Sequence, residues 1–133
     1  DWAWNEPYAR CRDRGDAAAI RWMEERYLAA ADESLIASRS RSRRLFDRDI
    51  PYVLLLHAGA FDAHMMPRLL ALYRDRGVSF VTLDAAMTDP FYAEDRLAQS
   101  TAAPLTLETG LAAAGLPPLN GPAVPVELAD LCR

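Results

Sequence analysis

The clearest pattern in the chain is a helical repeat of apolar and small residues over positions 17–45. Residues at three- and four-residue steps fall on one face of an α-helix. The members of this face are Ile20, Met23, Tyr27, Ala31, Ser34, Leu35, Ser38, Ser42 and Leu45. Asp16 precedes the repeat and is expected to cap the helix. A shorter helix is predicted before it, from a cap at Asn5 to about Arg12, with Gly15 as its stop.

Two short apolar runs after this repeat predict β-strands. The first, Tyr52–Leu56, contains no turn residue and is typical of a buried strand, and the second is Val78–Thr82. A helix is predicted between them, from about Asp62 to Arg76, with Gly77 at its end. Strand, helix and strand in this order form a βαβ unit with parallel strands, so the predicted fold class is α/β.

The remainder of the chain has a weaker pattern. One helical turn is predicted over Leu83–Met87 and a short helix over Leu107–Ala114, with Gly115 ending it. Prolines interrupt the last third repeatedly, at Pro104, Pro117, Pro118, Pro122 and Pro125. We therefore expect one domain over residues 1–94 and an irregular tail over residues 95–133 that wraps it. Because two strands leave a sheet edge open, that edge is expected to meet another chain or a segment outside this sequence.

Composition and charge narrow the function classes. The 133 residues are 51% hydrophobic and 26% charged, which is ordinary for a globular domain. The net charge of −4 argues against a nucleic-acid partner. No apolar stretch approaches the length of a membrane span. Cys11 and Cys132 are too few for a disulfide framework, although a bridge between them stays open.

Arginines crowd the end of the long predicted helix, at Arg39, Arg41, Arg43 and Arg44. Cations in the last turns complement the helix dipole, so a solvated helix end is the first interpretation. An anion-binding site is the alternative.

His57 follows the first predicted strand directly, where α/β folds place their chemistry. Leu55 lies two positions earlier and would share its face of the strand. An apolar wall beside an imidazole suits a small acyl group and a proton donor, because histidine titrates near neutral pH. A strand-end histidine that merely bonds a loop carbonyl is the alternative.

Several runs, taken in order, resemble one protein family. They are Asp1-Trp2-Ala3-Trp4-Asn5, Val53-Leu54-Leu55-Leu56-His57, the run from Leu69 to Asp84 that includes "RGVSFVTLD", and Asp89-Pro90-Phe91-Tyr92. Together they resemble the C-terminal part of NodB-type polysaccharide deacetylases, which are metal-dependent carbohydrate esterases. The resemblance covers about residues 1–92.

The resemblance implies a fold, a cofactor and three site residues. The fold is the C-terminal portion of a distorted (β/α) barrel, and a divalent metal, usually zinc, activates water to attack an acetamide on an N-acetylated saccharide. His57 matches the residue that protonates the leaving amine. Leu55 matches the wall of the acetyl pocket, and Trp2 matches an aromatic wall of the substrate groove.

The chain also departs from that family pattern. The paired aspartates and the histidine-x-x-x-histidine metal motif are not in this sequence, so the metal is expected to be bound by an N-terminal half or a partner chain. His64 is expected to be a surface residue. The family's aspartate that orients the histidine lies three residues before the one aligned with Asp1, and Asp1 is not given that role.

Three hypotheses remain at this point. The first is part of a zinc-dependent N-deacetylase that, as this chain alone, neither holds zinc nor deacetylates. The second is a non-catalytic, deacetylase-like module that binds glycans or a partner. The third is a complete small α/β domain of another kind.

Overall fold

The computed structural model describes residues 1–92 and 106–133. Regular structure within these residues is helical. The α-helices are α1 (Asn5–Arg14), α2 (Ala17–Phe46), α3 (Ala60–Asp75), α4 (Leu83–Ala86) and α5 (Leu107–Ala113), and 3₁₀ turns lie at Trp2–Trp4 and Val126–Ala129. Each predicted helix is therefore present, with its ends moved by one or two residues.

Local signals set several helix ends as predicted. Gly15 ends α1 at φ 67°, and Gly77 follows α3 at φ 73°, in the left-handed region that favours glycine. The carboxylate of Asp16 accepts a hydrogen bond from the backbone N–H of Ala19 at 2.9 Å, which is the expected cap of α2.

The predicted cap at Asn5 is wrong. Asn5 is the first residue of α1, Trp4 holds the cap position, and no side chain caps this helix end. The side-chain oxygen of Asn5 instead accepts from the backbone N–H of Phe61, in the first turn of α3. Gly59, the cap residue of α3, has no side chain with which to satisfy that donor. Asn5 therefore caps a helix distant in sequence.

The predicted α/β fold is also wrong, and so is the distorted (β/α) barrel that the resemblance implied for residues 1–94. Among the described residues none lies in a β-strand, and the segments Tyr52–Leu56 and Val78–Thr82 contain no regular structure up to the start of α4. No backbone hydrogen bond joins the two described segments, and a strand exists only as part of such a ladder. Val53, Leu55 and Val81 are exposed rather than buried. These segments are rich in residues that favour β-strands, but among the described residues neither has a neighbouring strand with which to pair.

The described residues form two compact units, and α2 contributes to both. The first comprises residues 1–33, 55–78 and 122–133. Its core holds Trp4, Tyr8, Cys11, Met23, Tyr27, Phe61, Met65, Leu69 and Leu128. Trp4 stacks on Phe61 with ring centroids 5.7 Å apart, and Tyr27 meets both rings edge-on. Burial, and then the charge of Asp62, raise the pKa of Tyr27 to about 12.

A disulfide and an arginine hold the C-terminal residues in the first unit. Cys11 on α1 is bonded to Cys132, 121 positions later. The guanidinium of Arg10 donates to the backbone carbonyls of Leu128, Ala129 and Leu131 at 3.1–3.3 Å. Two of these carbonyls lie at the end of the 3₁₀ turn Val126–Ala129 and the third follows it, so this guanidinium fixes the course of the segment.

The second unit comprises residues 34–54 and 79–121, of which 93–105 are not described. Its buried apolar residues are Leu35, Ile50, Ala86, Phe91 and Leu111. Ser42 on α2 is fully buried and its hydroxyl lies 2.6 Å from that of Tyr52. Arg48 donates to both carboxylate oxygens of Asp89 at 2.8 Å, which joins two stretches of chain far apart in sequence.

The predicted tail divides between the units. Residues 106–121 belong to the second unit and residues 122–133 to the first. The boundary predicted at residue 94 falls among residues that the structure does not describe, so it stays a prediction. In the described ranges, none of the helices is both long and apolar enough to cross a membrane.

Candidate functional site

His57 lies three residues before α3 and directly follows the apolar run Tyr52–Leu56. Its ring Nδ1 is 2.6 Å from Oδ1 of Asp1, and its backbone N–H donates to Oδ2 of the same carboxylate at 2.5 Å. The His57 side chain is 57% exposed while that of Asp1 is 9% exposed. One shielded carboxylate therefore holds both the backbone and the ring of an exposed histidine.

Asp1 is the residue of the candidate site that sequence reasoning missed. Its Oδ1 also accepts from the backbone N–H of Trp2 at 2.7 Å, as the cap of the 3₁₀ turn Trp2–Trp4. This turn fixes the carboxylate so that it faces His57. The resemblance implied that the aspartate that orients the histidine lies three residues before the one aligned with Asp1. The spacing of residues 1 and 57 gave no sign that Asp1 contacts His57.

The pair defines what His57 can do chemically. A carboxylate in its ionised form only accepts hydrogen bonds, so with ionised Asp1 it is Nδ1 that carries the hydrogen of this 2.6 Å contact. Within the described residues no hydrogen bond or ion pair engages Nε2, and the His57 side chain is 57% exposed, so Nε2 is the nitrogen left for proton exchange. A protonated ring donates from Nε2 and a neutral ring accepts there, which is the arrangement of a general acid–base histidine.

Trp2 and Leu55 are both accessible. Trp2 is 71% exposed and Leu55 is 79% exposed. Trp2 forms part of a groove of about 380 Å³, together with Ala3, Glu6, Pro7, Arg10, Val124, Pro125, Val126, Leu128, Ala129 and Arg133. The aromatic role of Trp2 and the acetyl-pocket role of Leu55 stay predictions, and the Val124–Ala129 side of the groove was not foreseen.

The described residues do not fit the implied metal. Among them, no three histidine, cysteine, aspartate or glutamate side chains are grouped closely enough to hold an ion. Both cysteines form the disulfide, and Asp1 and His57 are bonded to each other.

His64, the second histidine, is a surface residue, as predicted. Its Nε2 lies 2.6 Å from Oε1 of Glu24, and its ring stacks on Tyr8 with centroids 5.4 Å apart. Arg68 donates to the other oxygen of Glu24 at 2.7 Å. Hydrogen bonds from His64 and then from Arg68 hold the pKa of Glu24 below its usual value. This cluster joins α2 to α3 and is separate from the Asp1–His57 pair.

Three of the four arginines at the end of α2, namely Arg39, Arg41 and Arg43, are engaged by the protein itself. Arg39 and Arg43 both reach the carboxylate of Asp49, at 3.7 and 3.1 Å. Arg41 is only 7% exposed and bonds the carbonyl of Leu119 and the carboxylate of Glu108. These contacts neutralise much of the positive charge, which favours a structural role over an anion site. The solvated helix end that was predicted does not describe Arg41.

No family model, curated protein or solved structure matches this chain. The functional assignment therefore depends on the Asp1–His57 geometry and on the resemblance in the sequence.

Proposed function

We propose that this chain contributes the general acid of a carbohydrate N-deacetylase, an enzyme that hydrolyses an acetamide on a saccharide. The observation that carries the proposal is the Asp1–His57 pair, in which one carboxylate holds Nδ1 at 2.6 Å and leaves the exposed ring free to exchange protons at Nε2. The resemblance supplies the substrate class, an N-acetylated saccharide.

The chemistry needs a proton at the nitrogen. Hydrolysis forms a bond between water oxygen and the acetyl carbonyl carbon, breaks the C–N bond and leaves its electron pair on nitrogen. An amine anion is a very poor leaving group, so nitrogen must be protonated as the bond breaks. Nε2 of protonated His57 supplies that proton, and the products are acetate and the amino sugar. Asp1 keeps the ring in the tautomer and orientation that this transfer needs.

In this proposal the divalent metal is bound by residues other than the described ones. Val53, Leu54 and Val81 are exposed apolar side chains, and we propose that a further polypeptide segment covers them. That segment, or a partner chain, is the proposed carrier of the metal. Sedimentation of the chain with and without the upstream-encoded polypeptide measures the association, and two independently sedimenting species would count against it.

The two histidines provide a matched test of the enzyme proposal. Acetate release from N-acetylated chitooligosaccharides is measured for the protein translated from its complete reading frame, supplied with zinc. His57→Gln should lower kcat by about 10²-fold or more, the usual range for loss of a general acid. His64→Gln keeps the same substitution but lies in the Glu24 cluster, so turnover should be unchanged. Equal rates for wild type and His57→Gln would refute the role of His57.

A binding module is the second candidate, and the exposed Trp2 in its groove favours it. Aromatic faces beside apolar side chains stack on the apolar faces of sugar rings. Calorimetry with chitooligosaccharides should then show binding without acetate release, and the binding should be lost in Trp2→Ala and retained in Trp2→Phe. Heat of dilution alone would exclude this candidate.

A further inference from the structure

Asn5 links the start of α1 to the start of α3 through both ends of its side-chain amide. Its Oδ1 accepts from the backbone N–H of Phe61 at 2.9 Å, and its Nδ2 donates to Oδ2 of Asp62 at 2.7 Å. The two partners differ in kind, one a donor and the other an acceptor. Only one orientation of the amide satisfies both, so the side chain is fixed.

Gly59 brings the backbone close to this amide. A Cβ on residue 59 would lie 2.1 Å from Oδ1 of Asn5 and 2.4 Å from its Nδ2. The backbone of Gly59 is extended, at φ −143°, so space rather than conformation requires glycine here. Asn5 thus contacts Gly59, the cap residue of α3, and Phe61 and Asp62 in the first turn of that helix.

Asp62 makes this contact sensitive to substitution. Its side chain is 3% exposed, and among the described residues its Oδ1 has no hydrogen-bond partner. A buried carboxylate is costly unless it is paired or hydrogen-bonded. The amide of Asn5 and the position of Asp62 in the first turn of α3 are what offset that cost.

The two attachments have matching spacing along both segments. Asp1 holds His57, and Asn5, four residues later, holds Phe61, four residues after His57. The single 3₁₀ turn Trp2–Trp4 separates the two anchors on one side. Fixing the second attachment therefore fixes where His57 lies relative to the carboxylate of Asp1.

We infer that Asn5, backed by buried Asp62, is a positioning residue that holds His57 on Asp1. This inference rests on the proposed function, because positioning matters for catalysis only if His57 transfers the proton. Asn5 itself touches neither His57 nor any substrate in this role.

Exchanging the two polar groups tests the inference. Asn5→Asp places two carboxylates against each other and should separate α1 from the turn. Asn5→Asp combined with Asp62→Asn restores one acceptor for Phe61 and one donor–acceptor pair. The readout is the Nδ1 proton of the His57 ring by NMR, whose exchange with water reports whether the Asp1 contact is closed. Asn5→Asp should speed that exchange about tenfold or more, and the double variant should restore it.

Leu69→Ala is the matched control. Leu69 is buried on α3, seven residues after Asp62, and takes no part in the Asn5 hydrogen bonds, so its truncation should lower the melting temperature without changing the His57 signal. If Asn5→Asp does not fold, Asn5→Ala, which removes the amide without adding charge, takes its place. An unchanged His57 exchange rate in a folded Asn5 variant, or a change of the same size in Leu69→Ala, would overturn the inference.

The NMR readout separates the two proposals. If the His57 signal responds to Asn5 but His57→Gln leaves acetate release intact, the positioning stands and the enzymatic role fails. If His57→Gln abolishes release while Asn5 variants leave the signal unchanged, the enzymatic role stands and the positioning fails.

Discussion

The side-chain amide of Asn5 occupies the space in which a Cβ on residue 59 would lie, so Gly59 and Asn5 constrain each other's identity. The contact joins the turn after His57 to the start of α1, within the first unit. A side chain at residue 59 is therefore expected to destabilise this contact.

Gly59→Ala should lower the free energy of unfolding by about 1–3 kcal/mol, the usual range for overpacking. The new methyl group meets the amide of Asn5, which is itself fixed by Phe61 and Asp62. Urea unfolding of the single and double variants checks this. In an Asn5→Ala background the amide is gone, so Gly59→Ala should cost less there. The same cost in both backgrounds would show that the clash is not with Asn5.

Reduction of the Cys11–Cys132 disulfide should destabilise the first unit by about 2–5 kcal/mol. The bond closes a loop of 121 positions, and its loss also releases the segment that Arg10 holds. Thermal melts with and without reductant measure the effect. A Cys11→Ser, Cys132→Ser variant serves as control, because reductant should not change its melting temperature. A reductant-independent melt of the wild type would contradict the prediction.

The Glu24 cluster should contribute to acid sensitivity. Hydrogen bonds from His64 and then from Arg68 hold the folded-state pKa of Glu24 below its usual value. A depressed carboxylate pKa gives stability that is present above the unfolded-state pKa and is lost as pH falls through the folded-state value. Wild type should therefore lose more stability than Glu24→Gln between about pH 5 and about pH 3, and the two curves should converge at the acid end. Parallel curves in urea titrations would argue against this contribution.

Arg41 should be more sensitive to substitution than Arg44 on the same helix. Its buried guanidinium bonds the carbonyl of Leu119 and pairs with Glu108, which ties residues 106–121 to α2. Arg41→Ala leaves a carbonyl without its donor and should cost about 1–3 kcal/mol. Arg44, which is exposed on the same helix, provides the control, and Arg44→Ala should change stability by less than about 0.5 kcal/mol. Equal effects would contradict the structural role of Arg41.

The sequence by itself determined the helices and several of their ends. The repeat from Ile20 to Leu45 requires one long helix. Gly15, in the αL conformation, ends the helix before it, and the side chain of Asp16 caps its start. These signals are readable because a helix satisfies its hydrogen bonds within about four residues. His57 was singled out on similar local grounds, by its place after an apolar run.

Only the tertiary structure decided the rest, because the interactions involved join distant residues. Tyr52–Leu56 has strand composition, yet a strand needs a partner that no local pattern supplies. Asn5 has the composition of a cap, but the helix that it caps begins 55 positions away, at Ala60. The contact of Asp1 with His57 spans 56 positions, and the disulfide of Cys11 with Cys132 spans 121. Sequence periodicity shows which residues share a face of one element. It does not show which distant residues meet, so only folding pairs Asp1 with His57 and Cys11 with Cys132.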